Sequence, residues 1–240
     1  MTFQVASLGM GVQSVAMVYM IRDGIIPKPD LAVFADTGIE RPETMELVKN
    51  VVAPLLEELG IEFKTVTSHL GRLDDYYREH TALPLIGTRH CTVKFKVRPI
   101  RRLIREYVGP GGGKPLAEAW LGITTDEDHR ESESDVLWCV NKFPLLELGI
   151  SRQDCIDLLE LNGVEVVKSG CTMCPYQSGA EWLKMRTEHP DHWIRALAME
   201  EAYFDARPHR WKGLRYDGKK LTDPLGEFAA TKCDAGACFI

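Results

Sequence analysis

The hydrophobic pattern of the first 70 residues alternates between short apolar runs and longer stretches with helical periodicity. In chain order, the pattern predicts a strand over 3–7, a helix over 14–22, a strand over 31–34, a helix over 42–59 and a strand over 61–66. Gly24 and Gly60 mark the two helix ends, and Pro54 predicts a kink in the second helix. This order of elements indicates a parallel sheet with right-handed crossovers.

The remaining residues continue the alternation less regularly. The predicted elements are a basic helix over 94–107, a strand over 116–123 and helices over 151–161, 179–187 and 192–204. Ser151 is the expected N-cap of the first of these later helices. The simplest partition is one α/β domain over 1–180, followed by a helical and irregular, cysteine-bearing extension over 181–240 that packs on it.

The composition narrows the class of protein. Hydrophobic residues make up 45% and charged residues 27% of the 240 positions, as in globular domains. The net charge of −6 excludes a global basic field for nucleic acid, although it allows a local patch. No apolar run approaches the roughly 18 residues of a membrane span, and the N-terminus lacks a basic leader. We therefore expect a cytoplasmic protein with no membrane partner, in which the seven cysteines are fillers, metal ligands or reactive thiols.

A glycine-rich turn follows the first predicted strand and precedes the first helix. It reads Ser7-Leu8-Gly9-Met10-Gly11-Val12-Gln13-Ser14. Backbone N–H groups at such a turn, with the positive end of the helix and two serine hydroxyls, can hold a phosphate. The pattern is neither the dinucleotide fingerprint nor a Walker loop. The alternative is a tight turn without a ligand.

The second predicted strand ends in polar residues. Asp36 and Thr37 follow Phe34 directly, and the carboxyl ends of strands in open α/β sheets face the ligand crevice. We therefore expect both side chains beside the glycine turn. The alternative is that Asp36 only starts a turn and Glu43 only occupies a first helical turn.

Together these segments resemble a known family. Ser7-x-Gly9-x-Gly11-x-x-Ser14 and Asp36-Thr37-Gly38-x-Glu40-x-Pro42-Glu43-Thr44 resemble the PP-loop ATP pyrophosphatase (adenine nucleotide alpha hydrolase-like) superfamily, and within it the phosphoadenosine phosphosulfate (PAPS) reductase family. Later segments agree in order: Arg89-His90-Cys91-Thr92 with Lys94 or Lys96 and Pro99, Gly122-Ile123 with Glu127-x-x-Arg130, Pro144-Leu145 leading to Asp154, and Ser169-Gly170-Cys171-x-x-Cys174. The resemblance extends over residues 3–180.

The resemblance implies a fold and a set of site residues. The fold is a Rossmann-like (HUP-type) α/β arrangement, with a five-stranded parallel sheet flanked by helices. The implied nucleotide-binding residues are Ser7, Leu8, Gly9, Gly11, Gln13, Ser14, Asp36 and Thr37. The implied catalytic residues are Asp36, Arg89, Lys94, Glu127 and Arg130. The implied cofactor is ATP or a related adenine nucleotide, and a magnesium ion bound together with the nucleotide is compatible with the resemblance.

Three positions depart from the pattern of the family. Val12 stands where a lysine is usual, Gln13 where an aspartate is usual and Thr124 where an arginine is common. The loop therefore lacks a cation and a carboxylate that would contact magnesium. Nucleotide binding is still implied, whereas the phosphate chemistry that this loop supports is left open.

Cysteine spacing indicates a thiolate site. Cys171 and Cys174 form a Cys-x-x-Cys turn, a spacing at which two thiolates can bind one metal centre if two more ligands are supplied. The resemblance implies a [4Fe–4S] cluster on Cys91, Cys171, Cys174 and one of Cys233 or Cys238. The alternatives are a structural zinc ion on Cys171, Cys174, Cys233 and Cys238, or no metal. Cys139 and Cys155 lie in apolar contexts and are expected to be buried fillers.

Two segments concentrate basic residues. The first consists of Arg89, Lys94, Lys96, Arg98, Arg101, Arg102 and Arg105, and is either a solvated helix face or an oxyanion site. The second interleaves basic and aromatic residues, namely Arg207, His209, Arg210, Trp211, Lys212, Arg215 and Tyr216. It is either plain surface or a place where a base stacks.

Three functional hypotheses follow. The first is an enzyme that adenylates a substrate, or cleaves ATP at its α-phosphate, in sulfur transfer. For it, the resemblance implies a sulfur-donor protein or nucleic acid as partner, through DNA phosphorothioation or tRNA thiolation. The second is reduction of adenylyl sulfate (APS) or PAPS to sulfite, which needs a nucleophilic thiol such as Cys233 or Cys238. The third is a non-catalytic nucleotide-binding module. A homo-oligomer is compatible with all three.

Overall fold

The computed structural model describes residues 2–88, 90–111, 113–165 and 168–225. Arg89, Cys233 and Cys238 lie outside the described residues, so their predicted roles stay predictions. The elements are β1 (Phe3–Ser7), α1 (Val12–Arg22), β2 (Leu31–Asp36), α2 (Pro42–Leu47), α3 (Ala53–Glu58), β3 (Glu62–Thr67), α4 (Leu73–Glu79), α5 (His90–Thr92), α6 (Arg98–Val108), β4 (Ala117–Leu121), β5 (Cys139–Lys142), α7 (Pro144–Glu147), α8 (Arg152–Leu161), α9 (Gly179–Glu188) and α10 (Pro190–Ala206).

Within the described residues, five parallel strands form one sheet in the order β3-β2-β1-β4-β5. The Rossmann-like α/β fold is thereby confirmed. The chain moves outward from β1 through β2 to β3, then returns to the other side of β1 as β4. Because such a reversal leaves a crevice at the carboxyl ends of the central strands, ligands of open α/β sheets bind there.

Side chains of successive strand residues point to opposite faces of the sheet, and each face is buried. Phe34 packs in a core with α1 and α8, whereas Val33 packs in a core with Ile104 of α6. Cys155 and Cys139 are buried in these two cores, which confirms the expected burial of both. The helices thus cover both faces and leave the strand ends as the place for a site.

Two helical stretches contain π-helical turns that the sequence pattern does not predict. The expected helix over 42–59 passes through such a turn at Val48–Val52, just before Pro54. The basic helix starts at His90 and passes through a π turn at Val93–Val97, just before Pro99. Proline has no N–H for an α-helical bond, and the wider turn accommodates its ring and the freed carbonyl.

The C-terminal helices form a further core with α4. Trp182 of α9 and Met199 of α10 are fully buried there, together with Leu73 and Tyr77 of α4. The expected boundary at residue 180 stays a prediction. None of the helices in the described ranges combines the length and the apolar character that crossing a membrane requires.

Candidate functional site

The glycine-rich turn links the end of β1 to the start of α1. The backbone at Met10 has φ of 59°, in the left-handed region, while its side chain is buried. The N–H of Val15 makes the first helical bond, to the carbonyl of Gly11 at 3.0 Å. The earlier N–H groups of α1 therefore have no acceptor within the helix and are available to an anion. Ser14 Oγ donates to the Gly11 carbonyl at 3.1 Å.

The end of β4 lies against the first turn of α1. A Cβ atom at Gly122 would lie 3.1 Å from the backbone nitrogen of Ser14, so only glycine fits there without displacement. Three buried polar atoms of these segments have no hydrogen-bond partner within the described residues. They are Gln13 Nε2, Thr124 Oγ1 and Glu127 Oε1. Buried polar groups are normally satisfied, so these atoms are candidates for contact with a bound group.

Glu127 and Arg130 form a buried ion pair at 2.7 Å, with side chains that are 2% and 8% exposed. Burial raises the pKa of Glu127, and the charges of Arg130 and Arg152 only partly oppose this shift. The two residues implied by the family resemblance are thus brought together, and Arg152 at the start of α8 joins them. The sequence pattern gave no signal for Arg152.

A cavity of about 310 Å³ lies between the carboxyl ends of the strands and α6. Its volume is at the lower end of the range of roughly 300–1,000 Å³ for small-molecule sites. The lining residues in the strands, or directly after one, are Ser7, Leu8, Ala35, Ala119, Leu121, Cys139 and Asn141. Its helical wall consists of Thr92, Val93, Lys96, Val97, Ile100, Arg101 and Ile104, and its rim of Glu133, Ser134 and Asp135. A mostly apolar wall with polar groups at its edge suits a flat base attached to a polar sugar.

A second, smaller cavity of about 40 Å³ gathers three of the five predicted cysteine ligands. Cys91, Cys171 and Cys174 all line it, together with Thr37 at the end of β2. Burial raises the pKa of Tyr77, and the neighbouring Cys91 and Cys171 raise it further. Residues that are 80 positions apart in sequence therefore surround one small space beside the sheet.

The three cysteines are not arranged as ligands of a single ion. A single metal ion needs at least three ligand atoms that are all close together. Among the described residues, the set of three such atoms that lie within 4.8 Å of one another belongs to Glu43, Glu188 and His189, and the cysteines are not part of it. Tetrahedral zinc, with Zn–S bonds of 2.3 Å, needs sulfur atoms about 3.8 Å apart. Glu43 is already bonded to the ammonium of Lys184 at 3.0 Å, and that group therefore does not define a metal site.

Thr92 and Lys96 line both cavities and therefore form a shared wall. Lys96 Nζ lies 3.2 Å from Glu40 Oε1, and the Thr37 hydroxyl donates to the same oxygen at 2.9 Å. Both side chains of this ion pair are nearly buried. A cation thus stands between the larger cavity and the cysteines.

Lys94, the lysine that the sequence analysis assigned to catalysis, is placed differently. Its ammonium donates to the Tyr76 hydroxyl at 2.5 Å, and it is not among the residues lining either cavity. Its catalytic role stays a prediction, and Lys96 is the better placed of the two lysines.

The loops of the site are held against one another by backbone bonds. Glu40 and Cys171 form an antiparallel bridge, and the Thr172 N–H donates to the Ile39 carbonyl at 2.9 Å. A Cβ atom at Gly11 would lie 3.2 Å from Ser169 Oγ. The glycine turn, the β2–α2 loop and the Cys-x-x-Cys turn therefore form one continuous surface.

The sequence of the chain that forms this site matches a family model. The model describes the phosphoadenosine phosphosulfate reductase domain, and the match covers residues 4–168. The chain belongs to this family. The motifs on which the resemblance rested therefore mark a PAPS reductase-family domain of the PP-loop superfamily, a family of enzymes that act on adenine nucleotides in sulfur metabolism.

Solved structures similar to this family member include two proteins of sulfur metabolism. The phosphoadenylyl-sulfate reductase of Candida auris, in a phosphate complex, has a TM-score of 0.47 and 14% identity, covering 69% of this chain and 75% of that chain. The U34-tRNA thiolase NcsA of Methanococcus maripaludis, solved with its [4Fe–4S] cluster, has a TM-score of 0.43 and 16% identity, covering 98% and 80%. No curated protein matches the chain.

The remaining predicted nucleotide residues lie around the same crevice. Ser7 and Leu8 line the larger cavity, and Thr37 lines the smaller one. The Asp36 carboxylate accepts the N–H of Gly38 at 2.7 Å, so it does start a turn, as the alternative interpretation expected. Whether it also binds a ligand stays a prediction.

Glu181, near the start of α9, secures the Cys-x-x-Cys side of the site. It bonds to Arg41 at 2.7 Å and to Lys168 at 3.1 Å, and forms a capping box with Ser178. Burial raises the pKa of Glu181, but the Ser178 N–H and the charges of Arg41 and Lys168 outweigh it and lower the pKa to about 2. The cysteine turn is thereby tied to the start of α2 by charge.

Glu181→Gln is expected to destabilise the protein by about 3 kcal/mol at pH 7, because a shift from 4.5 to about 2 is worth about 1.4 kcal/mol per unit. A lowered carboxyl pKa stabilises above the unfolded value of 4.5, and this contribution is lost as the pH falls towards 2. The difference between the two proteins should therefore shrink on acidification, as measured by urea unfolding at several pH values. Glu188→Gln, on the exposed side of the same helix, should change little, and an equal loss in both variants would refute this role of Glu181.

Proposed function

We propose that this family member binds ATP in the larger cavity and cleaves it at the α-phosphate to activate a substrate oxygen for replacement by sulfur. The observation that carries the proposal is the shared wall. Thr92 and Lys96 separate a cavity of nucleotide size from the one lined by three cysteines. A nucleotide and a sulfur-handling site would thus be immediate neighbours.

The phosphates would lie at the start of α1, where N–H groups have no helical acceptor. The adenine would lie in the cavity between β4 and α6 and pack against its apolar wall. Lys96, on the wall between the two, would meet the negative charge that develops at the α-phosphate. Because no lysine or aspartate stands in the glycine turn, this charge would be met from outside the loop, by the ammonium of Lys96 and the guanidinium of Arg130.

The cysteines suit a thiolate-bound iron–sulfur group better than a single ion. Cys91, Cys171 and Cys174 would hold it, with a fourth ligand from Cys233 or Cys238, because thiolates are the usual ligands of such clusters. The 40 Å³ of open space is that of one or two water molecules, so the cavity would have to widen to admit such a cluster. Such a cluster, when bound, supplies an iron site that holds sulfur.

The overall reaction is balanced without a redox partner. The substrate oxygen attacks the α-phosphorus of ATP, and pyrophosphate leaves. A sulfur nucleophile at the oxidation level of hydrosulfide then attacks the activated carbon, and AMP leaves with the original oxygen. The chain would position the α-phosphate with Lys96 and exclude water with the apolar walls of the two cavities.

The test is the product of ATP cleavage by the purified full chain under anaerobic conditions, with sulfide and candidate nucleic-acid acceptors added. We expect AMP and pyrophosphate in equal amounts, and Ala119→Leu, which fills the cavity beside β4, should reduce both at least tenfold. Ala180→Leu, an exposed alanine on α9, is the matched control and should behave like the wild type. Tight ATP binding without cleavage would replace the proposal by a binding module, and thioredoxin-dependent sulfite release from PAPS would replace it by a reductase.

A further inference from the structure

The segment that follows α10 presents an exposed basic and aromatic surface that the proposed function leaves unused. Trp211 is 72% exposed, which is unusual for the largest side chain in proteins. His209, Arg210 and Lys212 beside it are also exposed, and the Lys212 ammonium lies 5.1 Å from the Trp211 ring centroid. We call the surface formed by residues 209–212 the Trp211 platform.

The platform is part of a firmly anchored segment. Arg215 is buried and donates to the carbonyls of Asp223 and Pro224 and to the carboxylate of Asp217. The buried carboxylate of Glu200 on α10 accepts the N–H groups of Leu214 and Leu221, each at 2.7 Å. Trp211 is therefore held in solvent by a defined fold of the chain around it.

The segment that carries this platform also reaches the cysteine cavity. The rings of Tyr216 and Tyr176 lie 6.2 Å apart, and Tyr176 lines the cavity with Cys91, Cys171 and Cys174. On the other side, a Cβ atom at Gly218 would lie 3.9 Å from the Trp211 ring. The Trp211 platform and the cysteine cavity are thus linked through the short segment 211–218.

We propose that the Trp211 platform binds a single-stranded nucleic acid, which is then the acceptor class for sulfur transfer at the neighbouring site. The acceptor role rests on the proposed function, whereas the binding itself does not. Bases of any sequence stack on exposed aromatic rings, and adjacent lysine and arginine side chains hold the backbone. The ion pair with Arg215 offsets the carboxylate charge of Asp217, which otherwise would repel phosphate.

The overall charge of −6 shapes this interaction. Because most of the surface repels a polyanion, attachment should depend on a few local cations and on stacking. We therefore expect modest affinity, a shallow salt dependence and a strong dependence on one ring. A small-molecule acceptor would need no such platform outside the cavity.

The experiment is fluorescence anisotropy of 5′-labelled 20-nucleotide single-stranded RNA and DNA with the full chain, without ATP. Trp211→Ala should weaken binding about tenfold, since stacking on one ring contributes roughly 1–3 kcal/mol per base. Lys212→Gln should reduce the slope of log K against log salt by about one. Ile194→Ala, a 63% exposed apolar residue on α10, is the matched control and should not change affinity. Because Trp211 and Lys212 are exposed, both variants should keep the wild-type melting temperature.

Two results would overturn the inference. The first is no binding by the wild type at low salt, and the second is binding that Trp211→Ala leaves unchanged. If the chain cleaves ATP to AMP but binds no strand, only this inference fails. If it binds a strand through Trp211 but never cleaves ATP, the binding surface stands and the proposed function fails.

Discussion

Lys96→Met is expected to reduce ATP affinity about 100-fold and to lower the free energy of unfolding by about 3 kcal/mol. The ammonium of Lys96 neutralises Glu40, whose side chain is 1% exposed, and it faces the larger cavity. Removing one partner of a buried ion pair typically costs 3–5 kcal/mol, because the other charge is left uncompensated. Losing the same cation from a phosphate contact reduces affinity by a comparable energy. Isothermal titration with ATP and urea unfolding measure the two effects separately.

The double variant Lys96→Met, Glu40→Gln separates binding from folding. Glutamine keeps the hydrogen bond from the Thr37 hydroxyl but carries no charge, so most of the lost stability should return. ATP affinity should stay low, because the cation is still missing. If the double variant binds ATP as the wild type does, Lys96 acts only on the fold and is not part of the nucleotide site.

Cys171→Ser is expected to abolish iron binding. The wild type, purified anaerobically, should contain about four iron and four sulfide per chain and absorb broadly in the visible range. Serine is a poor ligand for such a cluster, and Cys171 lies on the turn that Glu40 fixes at the cavity. Iron and acid-labile sulfide analysis of the two proteins tests this expectation.

Cys155→Ala is the matched control for the cysteine variants. Burial raises the pKa of Cys155 to about 12, so its thiol stays neutral and is unsuited to bind metal. This variant should lose some stability from the cavity it leaves in the core, but it should keep its iron. One zinc and no sulfide in the wild type would instead make the cysteines a structural clasp and refute the cluster.

The sequence predicts the central part of the fold because the signal there is local. Strands β1 and β2 are short, largely apolar runs, and β3 alternates apolar and polar residues after Gly60. Ser151 caps α8 as expected, in a capping box with Asp154. The short strand β5 escapes the pattern, since Cys139–Lys142 is only half apolar and is defined by pairing with β4. Such pairing is a tertiary property that periodicity does not carry.

The choice between Lys94 and Lys96 shows where sequence reasoning ends. Both follow the Arg-x-Cys-Thr motif and differ by two positions, so only the phase of the helix decides which one enters the cleft. The π turn at Val93–Val97 changes that phase. The meeting of Cys91 with Cys171, and of Tyr176 with Tyr216, likewise depends on loop packing between distant segments.

The most direct test of the central claim is to locate the nucleotide. Photo-crosslinking with 8-azido-ATP, followed by mass spectrometry of the peptides, reports which residues lie beside the adenine. We predict labelling within residues 93–101 or 133–141, the two segments that contribute lining residues to the larger cavity, and its loss in Ala119→Leu. Labelling confined to other parts of the chain, or labelling that Ala119→Leu leaves unchanged, would contradict a nucleotide site beside the cysteines.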